Sequence, residues 1–229
     1  MTRPLISIVI PTLNEHAALD RLFNELDADG SASLEVIVPD SGSDDTTEFV
    51  ARGAGAKVVT GLRGRGQQLA TGAWAARGDV IWFLHADSGL SPGTLGLIRA
   101  AVDVDGACGG NFRLVFDGED GFSRWLTGFY ACFRQRGLYY GDSGIFIRHD
   151  VLEKIGGVRP IALMKDYDLS RRLERHGGTC CIDTPPMTTS SRKFANRHPV
   201  AIFFGWLKMH ALYAMGVSPS RLARLYYRR

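Results

Sequence analysis

An α/β fold, with a mostly parallel central sheet flanked by helices and a helical appendage at the C-terminus, is predicted by three features of the sequence. Short β-branched or apolar runs alternate with helix-patterned segments as far as Leu84. Several of those runs stop abruptly at polar residues, and the carboxyl ends of strands are where open α/β sheets bind ligands. Past residue 195 the pattern gives way to an apolar, aromatic and basic tail. A length of 229 residues suits one large domain with an appendage, divided here as 1–195 and 196–229.

Residues 5–10 (Leu-Ile-Ser-Ile-Val-Ile) read as a strand stopped by Pro11. Thr12-Leu13-Asn14-Glu15 follow, then a helix over 17–26 that Thr12 or Asn14 can cap. A second strand over 34–38 runs into Pro39-Asp40-Ser41-Gly42-Ser43-Asp44-Asp45-Thr46. A strand that ends in Asp, Gly and Ser before a helix has the layout of a nucleotide site. Gly42 and its small neighbours let backbone approach the ligand, and Asp40 can reach a ribose or base edge. Neither loop is Gly-x-Gly-x-x-Gly, which disfavours a dinucleotide site. After a third short strand over 57–59, the loop 61–68 (Gly-Leu-Arg-Gly-Arg-Gly-Gln-Gln) leads into a helix over 69–76. Its glycines with Arg63 and Arg65 are equipped to meet a diphosphate through backbone N–H groups and guanidinium forks. A plain surface loop is the competing reading.

The fourth strand, residues 80–84 (Val-Ile-Trp-Phe-Leu), is a continuous apolar run of the kind buried on both faces, and it ends in His85-Ala86-Asp87. A carboxylate at that end, next to an imidazole, can hold a divalent cation against a phosphate. Equally, Asp87 can cap a helix starting near Ser91-Pro92. The second half loses the regular rhythm. It reads as a strand over 109–116, an aromatic-rich helix over 122–136, a loop and strand over 141–148, and a short helix capped by Asp150 and closed by Gly156-Gly157. Lys165-Asp166-Tyr167-Asp168 then open a helix, where acidic residues also suit the helix dipole, and a late strand covers 179–182.

Residues 200–217 are apolar and aromatic except for Lys208 and His210, and a basic helix covers 221–229. The mid-segment lysine argues against a membrane span, because a charge at the bilayer centre costs about 3 kcal/mol. Two readings stay open: a helix lying in the membrane interface with arginines on the headgroups, or a helix packed on the domain or on a second subunit. Net charge is only +3, but Arg192, Lys193, Arg197, Arg221, Arg224, Arg228 and Arg229 crowd the end of the chain. That bias suits phosphate or an anionic surface, or is a solvated face, and no nucleic-acid partner is expected. Cys108, Cys132, Cys180 and Cys181 lack Cys-x-x-Cys spacing, so neither structural zinc nor a disulfide framework is expected. With no basic-then-apolar leader ahead of Leu5, the expected location is the cytoplasm, or the inner face of the cell membrane if the tail touches lipid.

With these residues in view, the chain resembles the inverting family 2 glycosyltransferases of the GT-A fold as far as about Lys193. Pro11-Thr12-Leu13-Asn14-Glu15 looks like that family's opening motif, which lines the nucleotide pocket. The segment 40–46 resembles its second motif, whose first Asp contacts the uracil. His85-Ala86-Asp87 stands where the family carries its Asp-x-Asp metal motif, and the segment 165–172 looks like the Glu-Asp-x-Asp-Leu-x-x-Arg stretch that supplies the base. The Leu-His-Ala-Asp form and the short tail resemble a small bacterial subgroup. Two departures stand out: His85 replaces the first acidic residue of the metal motif, and Lys165 replaces the Glu beside the base. Ser191-Arg192-Lys193-Phe194 loosely echoes the Gln-x-x-Arg-Trp motif of processive members but lacks the Gln and has Phe for Trp, and these differences argue against polymer synthesis.

The resemblance implies transfer of one sugar from a nucleotide diphosphate sugar, of the UDP type, to a hydroxyl acceptor with inversion. Pro11, Asn14, Glu15, Asp40 and Gly42 would hold the nucleoside; Arg65, His85 and Arg192 would serve the diphosphate; Asp87 would bind Mg²⁺ or Mn²⁺. Asp166 would be the general base, and Gly109, Gly110 and Asp142 would shape the acceptor side. Two rivals are a nucleotidyltransferase acting on a sugar phosphate, suggested by Gly64-Arg65-Gly66, and a non-catalytic nucleotide-binding module at the membrane. The first wants its basic glycine loop directly after the first strand, where Pro-Thr-Leu-Asn-Glu stands instead.

Overall fold

The computed structural model describes residues 5–30, 34–191 and 198–227. Seven strands form one sheet: β1 (Ile6–Val9), β2 (Leu34–Asp40), β3 (Lys57–Thr60), β4 (Val80–Phe83), β5 (Gly109–Phe116), β6 (Phe146–Arg148) and β7 (Thr179–Thr189). Their order is β3-β2-β1-β4-β6-β5-β7. Only β6 runs antiparallel to its neighbours β4 and β5; every other pair is parallel. Because side chains alternate along a strand, each central strand feeds two cores. Ile6, Ile8, Val80 and Trp82 face one side, where α1 (His16–Ala28), α2 (Thr47–Gly53), α4 (Thr94–Asp103) and α5 (Gly121–Arg134) cover them. Val9, Ile81 and Phe83 face the other side, under α3 (Arg65–Ala75), α6 (His149–Lys154) and α7 (Lys165–His176). Burial on both faces explains why β4 is apolar without interruption.

Several boundaries differ from expectation for reasons visible in the packing. Helix α3 starts at Arg65, four residues before the expected 69, because Gly66 packs against a neighbouring loop rather than forming part of an open turn. A Cβ at Gly66 would stand 2.3 Å from the Ile161 carbonyl oxygen, so only glycine fits there. Strand β7 continues past 182 to Thr189. Its pairing with β5 jumps from Phe112–Ile182 to Leu114–Met187, and the excess residues, both prolines among them, bulge out.

None of the three expected side-chain caps forms. Helix α1 is preceded by Glu15 with no side-chain cap, since Thr12 and Asn14 instead bond across to the loop after β2. Asp150 lies inside the first turn of α6 and pairs with Arg148 and Lys154. Helix α4 begins after Gly93, so Asp87 does not cap it. That cap comes from α1, whose C-terminal Asp29 accepts from the backbone N–H groups of Gly93 and of Leu95 (2.8 Å). Glu25 accepts from Leu90 N at 2.7 Å, and Arg21 donates to Ser88 O at 3.4 Å. Spaced four apart, Arg21, Glu25 and Asp29 lie in one row along the helix and hold the segment that follows Asp87.

The tail forms α8 (Pro199–Ala214) and α9 (Pro219–Tyr227). No helix among the described residues is long and apolar enough to cross a membrane. Helix α8 packs back on the domain against the end of a run of rings along α5, with Phe203 and Trp206 meeting Phe129 edge-on at 6.1 and 6.0 Å. Trp206 meets Phe133 at 4.1 Å between centroids and stacks on His210 at 3.7 Å. His210 Nε2 hydrogen-bonds the Tyr140 hydroxyl at 2.8 Å. On the outward side Phe204 and Met215 stay 60% and 71% exposed.

Candidate active site

The chain leaves β1 toward β2 on one side and reaches β4 on the other, so the crevice above β1 and β4 is the topological switch point where such sheets bind ligands. Its floor is tied together by hydrogen bonds. Asp40, buried at the end of β2, accepts from the N–H groups of Gly42 and Ser43 through Oδ1, and from the hydroxyls of Thr12 and Ser43 through Oδ2. Burial alone would push its carboxyl up, but these four bonds outweigh it and hold the group below its ordinary value. Both oxygens are therefore committed to shaping the loop, and a base contact from this carboxylate would first have to break one of those bonds. Gln68 Nε2 donates to the Thr12 and Pro39 carbonyls at 2.6 and 3.0 Å, locking α3 to the same floor. Asn14, in the left-handed region at φ 57°, is fixed by Ser43 and Asp44.

Asp87, half-buried just past β4, lines a cavity of about 480 Å³ with Asn14, Glu15 and Arg21. Burial pushes the Glu15 carboxyl up and the charge of Asp87 adds to it, while Arg65 and His85 pull it down. Two carboxylates thus repel each other at the switch point, which is an environment that favours a cation. Among the described residues no three His, Cys, Asp or Glu side chains gather into a ready-made cage. The residues fit a divalent ion of the Mg²⁺ type, which takes one or two protein carboxylates and completes its shell with phosphate oxygens and water.

A larger cavity, about 1590 Å³, begins at Arg63–Gln67 and His85 and continues past Asp142 and Asp166 to α8. His85 is buried, and its Nδ1 lies 2.9 Å from Asp142 Oδ1. A carboxylate only accepts, so Nδ1 carries the proton and Nε2 faces away from Asp142. Lys165 Nζ donates to Asp166 Oδ2 at 3.1 Å. Gly141 lies between the two side chains: a Cβ there would come within 2.9 Å of both His85 Nε2 and Asp166 Oδ1. Asp168, the second acid of the segment, is buried under Arg159 and Arg172 and is structural.

The structure brings His85, Asp142 and Asp166 together, and Arg65 lines the same cavity. Asn14, Glu15 and Asp87 line the smaller one, and the charges of Arg65 and His85 in the larger one act on Glu15. Pro11 is buried beneath the β1 loop, and Gly42 turns the loop after β2 at φ 86°. Gly109 and Gly110 correct an expectation: they lie inside the sheet, where a Cβ would strike the Phe146 and Cys180 carbonyl oxygens at 2.6 and 2.2 Å. They are glycines so that β6 and β7 can approach β5, and they line neither cavity. Arg192 lies outside the described residues. Sequence reasoning missed Gly141 and Gln68. The only linear signal for Gly141 is its place beside Asp142, and nothing in the sequence marks Gln68.

A sheet of this order, with acidic and basic side chains gathered over its switch point, defines an open, mostly parallel α/β protein with a ligand crevice at the carboxyl ends of its strands. Residues 7–154 match the sequence profile of Glycosyl transferase family 2, and the chain belongs to that family. It is similar to glucosyl-3-phosphoglycerate synthase of Mycobacterium tuberculosis, strain H37Rv, being 36% identical over 93 residues that cover 36% of this chain and 28% of the relative. The match thus spans little more than a quarter of that relative's length. Among solved structures, the same M. tuberculosis enzyme in complex with Mn²⁺, UDP and glucosyl-3-phosphoglycerate superposes with a TM-score of 0.62 at 18% identity, covering 94% of this chain and 80% of that one. A mannosyltransferase from Pyrobaculum calidifontis in complex with GDP-mannose and Mn²⁺ gives 0.65 at 16% identity, covering 93% and 63%. These likenesses identify the fold as GT-A.

Proposed function

We propose that this chain is an inverting glycosyltransferase that moves a single sugar from a nucleotide diphosphate sugar, of the UDP type, to a hydroxyl acceptor with the help of Mg²⁺ or Mn²⁺. The observation that carries this reading is the arrangement of Asp166. Lys165 occupies its Oδ2, while its Oδ1 faces the gap over Gly141 beside His85, in a cavity that runs from the Arg65 loop to the far wall. A carboxylate with one oxygen anchored and the other open to a cavity can take a proton from an acceptor hydroxyl. The solved relatives that hold a nucleotide or sugar nucleotide with Mn²⁺ support the donor and metal assignments.

In this mechanism the loops at Pro11, Asn14 and Gly42 seat the nucleoside, with Asp40 holding them in shape. Arg65 bears on the diphosphate at the first turn of α3, where backbone N–H groups also favour an anion. Glu15 and Asp87 would hold the divalent ion, which neutralises charge on the departing diphosphate. His85, oriented by Asp142, fixes the wall beside the reacting hydroxyl, and Asp166 removes its proton as the oxygen attacks from the face opposite the leaving group. Arg192 is a further candidate for the diphosphate. We place the enzyme in the cytoplasm, at the inner face of the membrane, with the exposed side of α8 and the arginines of α9 against lipid.

Asp166→Asn is expected to bind UDP-sugar like the wild type and to lose transfer by about a hundredfold or more. Asp87→Ala is expected to abolish the Mn²⁺-dependent part of UDP binding in a calorimetric titration. Turnover unchanged in the first variant, or an identical isotherm in the second, rules out the role assigned to that residue.

A further inference from the structure

The larger cavity exceeds what a donor sugar and its diphosphate require. Sites that bury a drug-sized ligand run to roughly 1,000 Å³, and this one holds about 1590 Å³. Its lining also changes character along its length. The end at Arg63, Arg65, Gln67 and His85 is polar. Past Asp166 the wall is made by Phe129 and Tyr130 of α5, Ile202, Trp206 and Met209 of α8, and Leu225 of α9. Of the polar groups at that end, the Tyr140 hydroxyl is engaged with His210 Nε2, and His210 Nδ1 with the Trp206 carbonyl at 2.9 Å, while Lys208, Ser220 and the unpartnered Trp206 Nε1 are exceptions. A wall in which aromatic and aliphatic side chains outnumber such groups is better suited to hydrocarbon or an aromatic ring than to the many hydroxyls of a glycan. At Gly205, on the same wall, no atom lies within 4 Å of where a Cβ would stand, so the space beside α8 is open.

We infer that the acceptor is amphipathic, with a hydroxyl-bearing head that reaches Asp166 and an apolar body, aliphatic or aromatic, lodged between α5, α8 and α9. This rests on the assignment of Asp166 as the group that meets the acceptor hydroxyl. Burial of each methylene is expected to tighten binding about fourfold.

The test uses the full chain with UDP and Mn²⁺, and again without them, titrated with methyl, n-octyl and 2-naphthyl β-D-glucosides at monomeric concentrations. Octyl glucoside is expected to bind at least about a hundredfold more tightly than methyl glucoside, and the naphthyl probe separates an aromatic preference from an aliphatic one. Gly205→Leu, which fills the open space and raises helix propensity, is expected to weaken octyl glucoside at least about tenfold and leave UDP affinity unaltered. Ala201→Trp, on the same lining, gives the same reading if the first variant folds poorly. Equal affinity for all three glucosides, or octyl glucoside held equally well by wild type and both variants, overturns the inference. Failure of UDP to bind the wild type sinks the donor assignment instead, and the titrations without nucleotide keep the two failures apart.

Discussion

Gly141 concentrates the chemistry of the site into a single missing methyl group. Because a Cβ there would meet both His85 Nε2 and Asp166 Oδ1 at 2.9 Å, Gly141→Ala must push one or both side chains aside. Displacement of a reacting group by about 1 Å costs roughly a hundredfold in rate. The variant is therefore expected to lose about that factor in transfer while binding UDP within about threefold of wild type; equal turnover would show that the gap is not where the acceptor hydroxyl sits. His85 and Asp87 could be picked from the sequence because they end an apolar run, whereas Asp142 and Asp166 were picked out only by the resemblance to the family's motifs. What Asp40 does could not be read in either way. Its four hydrogen bonds come from Thr12, Gly42 and Ser43, and a linear reading shows the carboxylate but not that its lone pairs are filled. Gly109 and Gly110 were misjudged for a related reason, since the backbones that demand them belong to β6 and β7, far along the chain.

At the scale of elements, the docking of α8 turns on His210, which bridges Tyr140 and the Trp206 carbonyl and packs against Tyr167. Burial holds this imidazole below its ordinary value of 6.5. A histidine depressed in this way favours the docked, neutral form above the undocked value, and that contribution is lost as pH falls through the docked one. Helix α8 is thus expected to loosen on acidification below about pH 6.5. The check is hydrogen exchange of α8 amides, corrected for intrinsic rates, at pH 7.5 and 5.5; His210→Phe should flatten the difference, and equal protection at both pH values in the wild type would refute it. The strands β1, β2 and β4 were legible because β-branched and apolar runs bounded by Pro or polar residues leave little choice. The start of α3 was not, because Arg-Gly-Gln-Gln carries no helical apolar pattern and its place is set by contact with Ile161. Nor were the caps, since α4 is capped by a residue of α1 rather than by its own flank.

For the molecule as a whole, the alternation of strands and helices was enough to foresee a mostly parallel sheet, but not the antiparallel β6, which is three residues long and has no periodicity of its own. Where the tail goes was equally hidden, because α8 is apolar around most of its circumference and so carries no mark of which side faces the domain. The structure turns its aromatic inner side to α5 and leaves Phe204, Leu207 and Met215 exposed, while α9 adds the exposed Arg221 and Arg224. Placement against lipid predicts that the protein floats with vesicles containing anionic phospholipid and that Phe204→Ser with Leu207→Ser reduces the floated fraction several-fold; flotation unaffected by the double change would remove the tail from the membrane. The row formed by Arg21, Glu25 and Asp29 fastens the segment after Asp87 to α1, whereas the opposite wall is assembled from the loop around Ile161 and the two C-terminal helices. The two sides of the crevice are therefore anchored independently, one on the first helix of the sheet and the other on the end of the chain.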